Sequence, residues 1–140
     1  MKRILFASLL AAIISSVIFA SSGSGVDRQT EEWILIHKDK QSVYIDNKSI
    51  RRSTRIPGKI IFRVWGKIIN EKPRPYKSKH IEVSLRYYEL FCNDKMFRVL
   101  QEINNFTDGT SESREDLEIR GWEKLNYNML ENVIYKHICK

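Results

Sequence analysis

The stretch Ile81-Glu82-Val83-Ser84-Leu85-Arg86-Tyr87-Tyr88-Glu89-Leu90-Phe91-Cys92 decides the fold. Ile81, Val83, Leu85 and Tyr87 alternate with Glu82, Ser84 and Arg86, and a period of two marks a β-strand with unlike faces. At Tyr87-Tyr88 the alternation changes phase, so Leu90 and Cys92 fall on the other register. Either a β-bulge sits there or the strand runs between two covered faces.

Working outward, Lys59 to Asn70 opens after Pro57-Gly58 with Ile60, Phe62 and Val64 alternating with Arg63 and Lys67. Ile61 and Trp65 share the face of the two cations, which fits a half-buried strand with one aromatic on its outer side. The next segment, 71–80, reads as a loop. Earlier, Glu32–His37 and Ser42–Asp46 flank a hairpin turn at Asp39-Lys40, and Asp46-Asn47-Lys48-Ser49 is a turn capped by its own side chains. Later, Asn93-Asp94 is a turn, Met96 to Phe106 a strand, and Asp108-Gly109 a hairpin signal. Segment 110–121 is polar and acidic, an edge strand or a loop. From Asn128 the period changes: Asn128 as N-cap with Glu131 at N3 forms a capping box, and Met129, Leu130, Val133, Ile134 and Ile138 make one helical stripe. The expected fold is α+β, a curved antiparallel sheet of about six strands followed by one C-terminal helix.

The chain has 140 residues, 42% hydrophobic and 29% charged, a balance that excludes a disordered or multi-pass membrane protein. Lys2-Arg3, the apolar run from Ile4 and the small residues Ala20-Ser21-Ser22 read as a signal peptide over 1–22, cleaved after Ser22, with Ala20 as the alternative site that sets a poorer Ile18 at −3. The alternative is an uncleaved anchor, since the run approaches the ~17-residue lower limit for a span. Residues 23–31 read as a flexible linker and 32–140 as the single domain. No Cys precedes Cys92, so there is no lipobox. The expected location is exported, in the periplasm or at the cell surface, with no membrane span once the leader is cleaved. In such a compartment Cys92 and Cys139 read as one disulfide stapling the helix to the sheet; two free thiols, or a metal site using His137, are the alternatives.

The ordered set Trp33, Val43-Tyr44-Ile45-Asp46 with Ser49-Ile50, Tyr87-Tyr88-Glu89-Leu90-Phe91-Cys92, Asp108-Gly109, Gly121-Trp122-Glu123-Lys124-Leu125 and a terminal Ile138-Cys139 resembles the surface-adhesin protein E-like family of Gram-negative bacteria over about residues 32–139. The resemblance implies an antiparallel sheet with the C-terminal helix packed on one face, and Cys92 and Cys139 in the family's two cysteine positions. It also implies adhesion to host extracellular-matrix glycoproteins.

Charge is unevenly distributed. Residues 51–80 hold ten basic side chains and one acid, Glu71, a net +9. Loops 51–58 and 71–80 carry most of it, and Arg51, Arg52, Arg55, Arg74, Lys77 and Lys79 are the expected electrostatic contacts, with Tyr76 as an aromatic contact among them. A patch of this kind concentrates polyanions such as matrix glycans, lipopolysaccharide phosphates or anionic lipid. The alternative is a solvated basic edge that keeps strands from aggregating. Self-association is a further expectation, with this segment facing the acidic 108–131 region of a second copy; nucleic acid is not an expected partner of an exported chain. No G-x-S-x-G, H-E-x-x-H, P-loop or G-x-G-x-x-G occurs, and His37, His80 and His137 are isolated. No catalytic residue, metal or cofactor is expected. Glu89 reads as a partly buried acid paired with an Arg. The expected function is adhesion by an exported envelope protein through its basic face, the alternative a periplasmic accessory protein that binds an envelope component or partner protein.

Overall fold

The computed structural model describes residues 32–115 and 121–140. The expected leader (1–22) and linker (23–31) lie outside the described residues, as do residues 116–120 of the acidic connection. Eight strands are described: β1 (Trp33–Lys38), β2 (Gln41–Asp46), β3 (Arg51–Ser53), β4 (Ile61–Tyr76), β5 (Lys79–Phe91), β6 (Met96–Phe106), β7 (Ser111–Arg114) and β8 (Glu123–Lys124), followed by helix α1 (Leu130–Ile138). They form one open, curved antiparallel sheet whose main path runs β1-β2-β4-β5-β6-β7, with β3 added to β4 and β8 to β6. The expected class is therefore observed, six strands on the main path with two short ones appended.

Cross-strand partners share a face of the sheet. Val64 with Tyr88, Gly66 with Arg86 and Ile68 with Ser84 look toward α1; Arg63 with Glu89, Trp65 with Tyr87 and Lys67 with Leu85 look the other way. The core lies under the helix, where Val43, Ile45, Val64, Tyr88, Leu90 and Phe97 meet Ile134, with Met129, Leu130 and Ile138 of the predicted stripe packed alongside. The regular apolar series Val83, Leu85, Tyr87 thus lies on the face the helix leaves uncovered. The phase change at Tyr87-Tyr88 is a register shift: Tyr87 pairs with Gln101 and Tyr88 with Val99, so the unpaired residue, Leu100, belongs to the neighbouring strand.

Helix and sheet come close at Gly66. A Cβ there would stand 2.9 Å from Tyr88 Cε2 and 3.3 Å from Ile134 Cδ1. Overpacking of that kind costs about 1–3 kcal/mol. Gly66→Ala is accordingly expected to lower the urea midpoint at unchanged slope; an unaltered midpoint would mean the helix is not seated on this glycine.

Three expectations need correction. Residues 51–53 of the expected loop 51–58 form β3, paired with β4. Segment 71–80 is not a loop, because β4 continues to Tyr76, β5 begins at Lys79, and the turn between them is tight, with Lys77 at φ 54°. The prolines are tolerated because β2 stops pairing with β4 at Asn70, which leaves the far side of Pro73 and Pro75 a free edge that needs no N–H donor. The capping box is also absent. Met129 occupies the N-cap with no side-chain cap bond, and Glu131 turns instead to Arg86, its Oε1 accepting from Nη1 at 2.9 Å. A charge-assisted bond to a half-buried guanidinium outweighs one to a terminal amide. At the other end of α1, the Cys92–Cys139 disulfide is formed, with Cα atoms 5.4 Å apart, and Tyr135 donates its hydroxyl to the Cys92 carbonyl at 2.8 Å.

Candidate ligand-binding site

Arg51 pairs with Arg63 near the start of β4, whereas Tyr76 ends the same strand thirteen residues later. At ~3.3 Å per residue the two ends are roughly 40 Å apart. The predicted basic residues therefore fall into two groups rather than one patch, because a single long strand carries one group at each end. At the first end Arg51 curls back, donating from Nη1 to the Lys48 and Ile50 carbonyls at 2.6 and 2.8 Å, while Arg52 and Arg55 are exposed.

At the second end much of the charge is neutralised within the chain. Tyr76 stacks on Phe106 with centroids 5.9 Å apart and donates its hydroxyl to Glu112 Oε1 at 3.0 Å. Lys77 pairs with Glu112 at 3.4 Å. Lys79 pairs with Asp108 at 3.1 Å. The Thr110 hydroxyl and N–H, with Lys79, hold the Asp108 carboxyl down at about 2. The acids expected to meet this segment from a second copy thus meet it from the β6–β7 hairpin of the same chain.

Arg74 is left over, and it has company. A groove of about 750 Å³ opens where β4 and β5 lose register between Ile69 and Arg74, with Lys40, Lys72 and Arg74 around it and Gln41, Asn70 and Glu71 among its walls. All three cations are exposed, and none has an ion-pair partner among the described residues. The walls are held from both sides: Gln41 Nε2 donates to Asn70 Oδ1 at 2.6 Å, and the Glu71 N–H donates to the Lys40 carbonyl at 3.1 Å. Inward, a smaller cavity of about 160 Å³ shares Gln41, Asn70 and Arg74 with the groove and runs to Ser84, Arg86 and Glu131. Sequence reasoning missed Lys40, which lies in the β1–β2 turn some thirty residues before the rest of the group; only strand pairing places it there.

Two clusters of ion pairs lie on the two faces of the sheet. Glu89, 1% exposed, sits between Arg63 at 2.9 Å and Arg98 at 2.6 Å, as its predicted pairing with an Arg requires. On the helix side Arg86 bridges Glu102 and Glu131, each at 2.9 Å, and Arg114 closes on the far oxygen of Glu102. Burial opposes the charge on Glu102, but Arg86 and Arg114 overcome it and hold the carboxyl below its usual range. Burial pushes the Tyr88 phenol well above its usual range.

Among the described residues no His, Cys, Asp and Glu cluster suited to a metal ion occurs, and no helix is long and apolar enough to cross a membrane. No curated protein and no solved structure matches the chain. The profile of the family described as surface-adhesin protein E matches residues 33–140, from the first residue of β1 to one residue past the cysteine that closes the disulfide, and the chain accordingly belongs to that family as a surface adhesin-like protein.

Proposed function

We propose that the protein is a non-enzymatic, exported cell-envelope adhesin that holds polyanions, including anionic glycans of host or matrix glycoproteins, in the basic groove at the β4–β5 end of the sheet. The supporting observation is the convergence of Lys40, Lys72 and Arg74, unpaired among the described residues, on one groove, while Tyr76, Lys77 and Lys79 beside it are engaged with Glu112 and Asp108. Unpaired cations around a concavity focus the field that attracts an anion. Because all three are exposed, reversing them leaves the core untouched.

The test is binding to immobilised heparin across a salt series. Lys40→Glu/Lys72→Glu/Arg74→Glu is expected to weaken binding by ~10-fold or more at ~0.1 M salt, where the screening length is about 10 Å, with the loss shrinking as salt rises. Arg51→Glu/Arg52→Glu/Arg55→Glu is expected to change it much less. Equal affinity of the groove variant and the unaltered protein would sink the reading.

A further inference from the structure

The face of the sheet turned away from α1 carries a second feature. Trp65 and Tyr87, direct partners on β4 and β5, stack with centroids 5.1 Å apart and planes 24° from parallel. One row along, the Lys67 ammonium sits 4.4 Å over the Trp33 ring and 5.1 Å over that of Tyr44. These four rings lie on β1, β2, β4 and β5, neighbours in the sheet, so the row is about 14 Å long at ~4.8 Å per strand. All four are half-buried, as are Leu85 and Ile103 beside them, and α1 packs on the opposite face. A row of half-buried aromatic rings on the face opposite α1, on a sheet whose core lies elsewhere, is a surface with a use.

The charges on this face decide its occupant. Among the described residues its cations are Lys38, Arg51, Arg63, Lys67, Arg98 and Lys124. Of its acids, Glu89 is locked between Arg63 and Arg98, Asp46 is buried and accepts the N–H of Lys48, and Glu115 stands at the far edge, accepting from Gln101. The described face is net positive even with these acids counted, so two copies of it pressed together would repel, which disfavours a second copy. A pyranose ring offers a face of C–H groups that packs on an aromatic ring, and a uronate adds a carboxylate for an ammonium alongside.

We infer that this face is a second binding surface, one that takes an acidic saccharide chain, its sugar rings on the Trp65–Tyr87 stack and a uronate carboxylate at Lys67. It goes beyond the groove reading, since the groove recognises charge without rings and this face recognises rings with charge.

The experiment is a titration of the disulfide-bonded protein followed by tryptophan emission, with four probes: a hyaluronan hexasaccharide, a lipopolysaccharide core oligosaccharide, neutral maltohexaose and ringless inorganic polyphosphate. A saturable emission change is expected with an acidic saccharide; the hyaluronan arm points to a host source and the core-oligosaccharide arm to an envelope source. Trp65→Ala and Tyr87→Ala are expected to weaken saccharide binding about tenfold or more while polyphosphate binding stays as it was. Lys67→Gln is expected to bring the acidic saccharide down to the neutral one, and Trp65→Phe to restore binding if Trp65→Ala perturbs the fold. Reversal of Lys40, Lys72 and Arg74 is expected to abolish polyphosphate binding and spare the saccharide, which separates failure of the groove reading from failure of this one. Saccharide binding that survives both alanine changes, no response to either acidic saccharide, or a dimer that the alanine changes dissociate without touching saccharide binding would each overturn the proposal.

Discussion

Replacing Arg86 with Met is expected to destabilise the protein by about 3–5 kcal/mol, the range for removing one partner from a buried ionic cluster. Arg86 is the hinge of that cluster, its Nε 2.9 Å from Glu102 and its Nη1 2.9 Å from Glu131. The three side chains are only 19%, 6% and 10% exposed. Burial works against the guanidinium charge, yet Tyr88, Glu102 and Glu131 hold it firmly protonated. A Met at this position strands two carboxylates. Glu102 keeps Arg114, but among the described residues Glu131 keeps only the Tyr88 hydroxyl at 3.4 Å, so adding Glu131→Leu to Arg86→Met is expected to recover much of the loss.

The same cluster gives the sign of a pH dependence. Glu102 titrates below its usual range in the folded state and near ~4.3 unfolded. Its contribution is therefore complete above the unfolded value and is lost as the pH falls through the folded one. Urea midpoints from pH 7 to about pH 3 should fall in the unaltered protein and fall less steeply in Arg86→Met. A loss below ~1 kcal/mol at neutral pH would place the cluster in the class of solvated surface pairs and contradict this account.

Removing the disulfide is the second large effect. Cys92→Ala/Cys139→Ala reopens a closure spanning 47 residues, worth about 4 kcal/mol in the chain-entropy model. The consequence should be local as well as global. α1 has nine residues, too few to persist alone in water. Without the bond it is held by Ile134 in the core, the Arg86–Glu131 pair and the Tyr135 hydroxyl on the Cys92 carbonyl. The expected result is a lower denaturation midpoint with far-UV helical signal lost ahead of the sheet transition, reproduced by a reducing agent. Coincident transitions at an unchanged midpoint would show that packing alone seats the helix.

Much of this architecture is legible in the chain because side-chain period follows backbone geometry. β6 runs from Met96 to Phe106, the bounds expected for it, the Asp39-Lys40 and Asp108-Gly109 turns fall between the strands they were expected to join, and the cysteine pair bonds as read. What was not legible depends on neighbours. Pro73 and Pro75 argue for a loop until β2 is known to stop at Asn70. Asn128 and Glu131 argue for a capping box until Arg86 is known to wait across the sheet. The basic segment is contiguous in sequence, yet a strand spends length, so Arg51 and Arg74 end far apart while Lys40 arrives from another hairpin. Charge neutralisation of Lys77 and Lys79 is equally invisible, since Glu112 and Asp108 are about thirty residues away in the chain.

The central claim is that the groove at the β4–β5 end receives an anionic ligand. Titration of the isotope-labelled protein with a heparin hexasaccharide, followed by backbone amide shifts, tests it most directly. The account predicts saturable, salt-sensitive shifts that include Lys40, Gln41, Lys72 and Arg74; shifts confined to Arg51–Arg55, or none at low salt, would contradict it.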